Sequence, residues 1–121
     1  MKEKSCLIKV PIYNTRFELV ATDDMIKSQK KEPRFSFLGK QKPTDAHGLA
    51  MYCDWNFCVI LDSRCVNHNV IAHEIFHATH RILDYCGLKF KVGNQEAFAH
   101  LNGYLSDFTY HQLKKWKIKI K

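Results

Sequence analysis

Hydrophobic positions alternate with polar ones from the first residues of the chain. Cys6-Leu7-Ile8-Lys9-Val10-Pro11-Ile12-Tyr13 reads as a first strand, with Pro11 placing its end at a sheet edge. Arg16 to Val20 extends this strand or pairs with it. Thr22 is a candidate N-cap followed by Asp23 and Asp24, where a helix dipole favours acid, so a short helix is expected through Lys31. Glu32-Pro33 closes it, because the residue before a proline is pushed out of the helical region. Residues 34 to 46 carry Gly39, Pro43 and several lysines and read as irregular connection.

Two β-prone runs follow, Gly48 to Cys53 and Phe57 to Leu61, separated by Asp54-Trp55-Asn56 in the manner of a hairpin. The period then changes to that of a helix, starting near Val66 or Asn67 and running to Tyr85 with Gly87 at C′. Ile71, Ile75, Ala78, Ile82 and Cys86 form its apolar face, while His73, His77, His80 and Asp84 form the opposite stripe. A second helix is expected from the Val92–Asn94 region to about Phe108, capped by Asn94. Its Phe98, Leu101, Leu105 and Phe108 point inward, and Glu96, His100, Gly103 and Asp107 share another face. Gly103 costs roughly 1 kcal/mol against alanine inside a helix, which predicts a backbone packed closely against it. Trp116-Lys117-Ile118-Lys119-Ile120-Lys121 returns to period two and predicts an ordered terminal strand, added beside the first strand or folded across a cleft.

Two helices and several short strands define an α+β chain, and 121 residues suffice for one domain with a single modest core. The 45% hydrophobic and 26% charged content is ordinary for a globular protein, and no apolar run approaches a membrane span. The N-terminus lacks a signal-peptide core, and the five cysteines, an odd number, rule out a fully paired disulfide framework within one chain. A cytoplasmic protein with reduced thiols is expected. A second zinc site from Cys53, Cys58, Cys65 and His68 matches no common spacing. The net charge of +7 favours acidic partners, but no nucleic-acid motif accompanies it; solvated lysine is the plainer reading, and a nucleic-acid partner is not expected.

Chemistry enters with His73-Glu74-Ile75-Phe76-His77, an H-E-x-x-H motif inside the longest helical segment before Gly87. Residues four apart lie one turn above each other, so both imidazoles project from one face and can share one Zn²⁺, with Glu74 flanking the metal's water. A third protein ligand is needed if water keeps the fourth position. His80 and Asp84 are on the same stripe but further along. Donors at His73, His77 and His80 on one straight helix span about 10 Å, too far to converge on one ion. Glu96, on the next helix, can approach from outside, with His100 one turn on as a hydrogen-bonding support; an ordinary first-turn glutamate and a core histidine are the plain alternatives.

The pairing of HEIFH with Glu96 in Asn94-Gln95-Glu96-Ala97-Phe98-Ala99-His100 resembles the gluzincin pattern of zinc metallopeptidases. It is still more similar to the very small predicted metallopeptidases of bacteriophages and prophages, whose second helix reads much like EAFAHLNGYL. The resemblance covers about residues 57 to 108. It implies a minimal zincin-like domain: a small, mainly antiparallel sheet, a zinc-binding active-site helix and a second, glutamate-bearing helix. It further implies His73, His77 and Glu96 as zinc ligands, Glu74 as general base, a peptide or protein substrate, and the host cytoplasm as location if the chain is phage-encoded. Gln95 stands where the pattern has Asn and His100 where it has Asp, and the metzincin third histidine is absent. No transition-state residue is matched by motif; Tyr104, Tyr110 and His111 are candidates. The strand Phe57 to Leu61 is the expected edge for an extended peptide to join. The alternative is a non-catalytic binding protein in which zinc ties two helices together, for instance a phage factor acting on a host partner.

Overall fold

The computed structural model describes residues 2–121. Its centre is a four-stranded sheet in the order β1-β2-β4-β3, built from β1 (Glu3–Val10), β2 (Thr15–Thr22), β3 (Gly48–Cys53) and β4 (Asn56–Asp62). β1 pairs with β2 and β3 with β4 in antiparallel register, whereas β2 and β4 run parallel, Val20 opposite Ile60. The sheet is therefore mixed and mostly antiparallel. The first strand starts three residues earlier than its alternation suggests and ends at Val10, before Pro11. Arg16 to Val20 belongs to a separate strand paired with it.

The run Phe57-Cys58-Val59-Ile60-Leu61 is not the edge. It occupies β4, between β2 and β3, and every one of its residues is buried. A strand covered on both faces reads as a continuous apolar run rather than an alternation. Phe57, Val59 and Leu61 join the larger core under two long helices, while Cys58 and Ile60 join a smaller one with Val20, Met25, Leu38 and Met51. The free edge next to β4 is β3.

The smaller core is closed by two single-turn helices, α1 (Met25–Gln29) and α2 (Arg34–Leu38). Asp24, not Thr22, caps α1: its carboxylate accepts from Lys27 N at 3.0 Å, while Thr22 Oγ1 accepts from Asp24 N at 3.1 Å. α2 lies in the stretch expected to be irregular. A distant partner holds it, because Arg34 is buried and donates to Glu3 through Nη1 and Nη2, each at 2.8 Å, and to Glu18 through Nε at 3.3 Å.

α3 (His68–Tyr85) and α4 (Gln95–Lys115) cover the other face of the sheet. Asn67 caps α3 by accepting from Val70 N at 2.8 Å. Its far end is a Schellman turn: Gly87, at φ 87°, donates to Asp84 O, and Leu88 donates to Leu83 O at 2.8 Å. A 3₁₀ turn, Val92–Asn94, leads into α4, which runs beyond the expected Phe108 because Thr109 and Leu113 continue its buried face. Asn94 precedes α4 without capping it; its side chain donates to Lys89 O at 2.8 Å. Gly103 has no heavy atom within 4 Å of where a Cβ would sit, so the expected close approach of a backbone there is absent.

The C-terminal residues are docked, but not as a strand. Trp116 caps α4 and Lys117, at φ 58°, reverses the chain so that Ile118 N donates to Leu113 O at 3.0 Å. Trp116, Ile118 and Ile120 then pack against the larger core, and Lys121 N donates to Val66 O at 2.9 Å. The alternation correctly marks which side chains turn inward; the left-handed residue at Lys117 and a single backbone bond take the place of a ladder.

Truncation after Gln112 removes Leu113 and the docked tail and is expected to lower the melting temperature; an unchanged Tm would mean that the tail contributes nothing. The Arg34 guanidinium holds the Glu3 carboxyl down at about 2 from its ordinary 4.5, so Glu3 contributes stability that is complete above about 4.5 and is lost as pH falls through about 2. Glu3→Gln should therefore flatten the acid limb of the stability curve between those values, and parallel curves for variant and wild type would refute the assignment.

Candidate metal centre and cleft

α3 is amphipathic because Ile71, Ile75, Ala78, Ile82 and Leu83 face the core, which turns His73 and His77 outward. His73 Nε2 and His77 Nε2 stand 3.2 Å apart, with the rings nearly perpendicular at 77°. At that distance only one of the two nitrogens can hold a proton between them, leaving a lone pair on the other. Two imidazole nitrogens bound to a tetrahedral zinc at 2.0–2.1 Å would be about 3.3 Å apart. The pair therefore has the bite of a zinc-binding half-site.

Glu74 completes the group: one donor atom from each of His73, Glu74 and His77 falls within 4.8 Å of the others, and among the described residues no other such group of three occurs. The histidines are exposed, whereas Glu74 is only 8% exposed. Burial raises its carboxyl pKa above the ordinary value, against the opposing influence of His73 and His77. A carboxylate made more basic beside two nitrogen donors is suited to taking a proton from water.

β3 forms the facing wall. Gly48 starts it where a Cβ would come within 2.7 Å of Val70 Cγ1 and 2.9 Å of Glu74 Cγ, so only glycine lets the strand approach α3 this closely. The resulting cleft, about 320 Å³, is lined by Gly48, Leu49, Ala50 and Tyr52 on one side and His73, Glu74, His77 and Arg81 on the other. The Arg81 guanidinium lies 4.7 Å from the centre of the Tyr52 ring, closing the cleft at one end. Gly48, Tyr52 and Arg81 were not singled out from the sequence, although Arg81, four residues after His77, continues its stripe.

The remaining expected site residues are elsewhere. Glu96 and His100 face solvent on α4, 89% and 82% exposed in their side chains, with His100 Nε2 3.4 Å from Glu96 Oε2. The register of the helices explains this. Thr79 Oγ1 donates to Asn102 Oδ1 and His68 pairs with Tyr110, so α3 and α4 are antiparallel. Measured from the Thr79–Asn102 contact, His77 lies about 3 Å one way along the helices and Glu96 about 9 Å the other way. Side chains lean toward the N-terminus of their own helix, which in an antiparallel pair widens that gap. Glu96 is also about 160° around α4 from the buried Phe98. This arrangement does not bring Glu96 to the histidines, and His100 does not support them: it borders a groove with Val10 to Tyr13 instead.

His80 sits among rings, 6.2 Å from Phe76 and 6.0 Å from Phe98, outside the three-residue group. The transition-state candidates are also away from the cleft. Tyr110 Oη is 2.8 Å from His68 Nδ1, His111 pairs with Asp107, and Tyr104 borders the groove near Ile12. All five cysteines are free, and Cys58 is buried in the smaller core, so Cys53, Cys58, Cys65 and His68 form no metal group. Among the described residues no helix is long and apolar enough to cross a membrane.

Compared with known proteins, the chain matches no protein family, no curated protein and no solved structure.

The Gly48 contact gives a direct prediction. Gly48→Ala should destabilise the fold by about 1–3 kcal/mol in urea unfolding, since the added methyl must displace Val70 or Glu74. Wild-type stability would show that β3 and α3 are not in the close contact described.

Proposed function

We propose that this chain is a small zinc-dependent peptidase that uses Glu74 as its general base. The observation that carries the reading is the 3.2 Å separation of His73 Nε2 and His77 Nε2 with the buried Glu74 carboxylate beside them in an open cleft. The donors are of the right type for zinc, and the cleft leaves room for water and substrate opposite the helix. When bound, zinc would supply a Lewis acid that polarises a carbonyl and makes a water easier to deprotonate near neutral pH.

The chain's own residues supply the rest. β3 has one unpaired edge, and an extended peptide added to it would run past His73 and His77 with its backbone held by main-chain hydrogen bonds. Glu74, with its raised proton affinity, takes the proton of the attacking water and passes it to the departing amine. Arg81, held on Tyr52, places a positive charge at the end of the same cleft, where it can bind a substrate carbonyl or carboxylate. His73, His77 and Glu96 on a single ion, the ligand set that the gluzincin likeness implies, require α4 to move from its position here.

A non-catalytic zinc-tied binding protein is the competing reading, and the intact, buried Glu74 argues against it, because a structural site needs no base. The experiment is zinc analysis after dialysis combined with cleavage of a denatured-protein substrate. Wild type should retain one zinc and cleave. His73→Ala should lose the metal, whereas Glu74→Gln should keep metal and fold but lose hydrolysis. Full zinc occupancy in His73→Ala would put the site elsewhere, and equal turnover by Glu74→Gln would remove the base from the mechanism. Loss of zinc in Glu96→Gln would show that α4 shifts to deliver its carboxylate.

A further inference from the structure

A second cavity is larger than the cleft at His73 and His77. It measures about 480 Å³ and lies at the C-terminal end of α3, where the β1–β2 turn, the β3–β4 turn and Tyr85 meet. We propose that this cavity binds a nucleotide, its phosphate on Lys9 and Arg16 and its base against Trp55 and Tyr85. The inference does not depend on the peptidase reading.

The charges come first. Lys9 and Arg16 are directly opposed residues of β1 and β2, so their Cβ atoms are about 4.5–5.5 Å apart, an arrangement of like charges that destabilises a sheet. Neither has a carboxylate partner among the described residues, although Arg34, Lys31 and Arg64 all do. No acidic side chain lines the cavity. Two unneutralised cations at one mouth are what an anion with several oxygens would bridge.

The rings come second. Trp55 and Tyr85 line the same cavity with about half of their surface open, 49% and 51% exposed, and Tyr13 lines it as well. Tyr85 meets buried Phe57 in a T-shaped contact at 6.2 Å and keeps about half of its surface open. The walls are tied together: Arg16 N donates to Trp55 O at 2.8 Å, and Cys86 Sγ lies 3.9 Å from Tyr13 O. Aromatic faces beside paired cations recognise a flat ring carrying a phosphate, because stacking and charge act on different parts of one ligand. A cavity of this size accommodates a mononucleotide. Thr15, which also borders it, carries the one buried side-chain polar atom without a hydrogen-bond partner among the described residues, Oγ1.

The test is titration of the full chain with adenosine monophosphate, followed by amide and indole NMR, with adenosine, inorganic phosphate and an oligothymidylate as parallel probes. Adenosine monophosphate should shift the Trp55 indole and the Arg16 and Lys9 amides and bind at least about tenfold tighter than adenosine or phosphate alone. Lys9→Gln and Arg16→Gln should each weaken it about tenfold, while Lys9→Arg retains binding. The unliganded Gln variants should be as stable as wild type or more so, since a like-charge contact is removed, which separates lost binding from lost fold. An oligothymidylate that binds much more tightly than the mononucleotide, with strong salt dependence, assigns the site to a nucleotide unit of a single strand. Comparable affinities assign it to the free nucleotide. The proposal is overturned if no probe shifts Trp55 and Arg16, if phosphate alone binds as tightly as the nucleotide, or if both Gln variants bind like wild type.

Discussion

Burial of β4 on both faces is the constraint from which the architecture follows. Phe57, Val59 and Leu61 require cover on one side, and Cys58 and Ile60 require it on the other. The long helices α3 and α4 meet the first demand and the short α1 and α2 the second. Because β4 must be central, β3 is left as an edge, and α3 crosses the sheet close to it. The glycine at the start of β3 lets the strand come within contact of Glu74, and so the same packing that stabilises the fold builds one wall of the cleft.

Within that frame the side chains of the candidate site divide by solvation. Glu74 is held in the crevice between α3 and β3, where loss of water makes its carboxylate more basic. His73, one residue before Glu74, and His77, three after it, remain at the surface with their Nε2 atoms together. A buried carboxylate beside exposed nitrogen donors favours the proposed catalytic role over a purely structural one. The C-terminal end of α3 differs in character: aromatic rings and two cations without a carboxylate partner there border a second concave surface with no carboxylate in its lining.

How much of this was legible in the sequence depended on whether the governing contact is local. α3 was, with its Asn67 start and Gly87 stop, because periodicity, cap and left-handed glycine all act within a few residues. The β3 and β4 segments were also legible, but the position of β4 was misjudged: its unbroken apolar run is the mark of a central strand, and nothing in the run itself names its neighbours. α2 was missed because Arg34 is held by Glu3, far away in sequence. The tail's inward-facing residues were read correctly and its conformation was not, since the alternation of Trp116, Ile118 and Ile120 does not reveal the reversal at Lys117. His73, Glu74 and His77 come together because one helix fixes them. Glu96 required the axial register of two helices, which spacing along the chain cannot supply, and in this structure that register sets it about 12 Å along the axis from His77.

X-ray absorption at the zinc edge of the loaded protein distinguishes an open site on His73 and His77, beside the buried Glu74 carboxylate, from a closed one. The expected coordination shell is two imidazole nitrogens at about 2.0–2.1 Å, completed by oxygen donors that include water. Sulfur at about 2.3 Å, or a shell closed by four protein ligands, would contradict it.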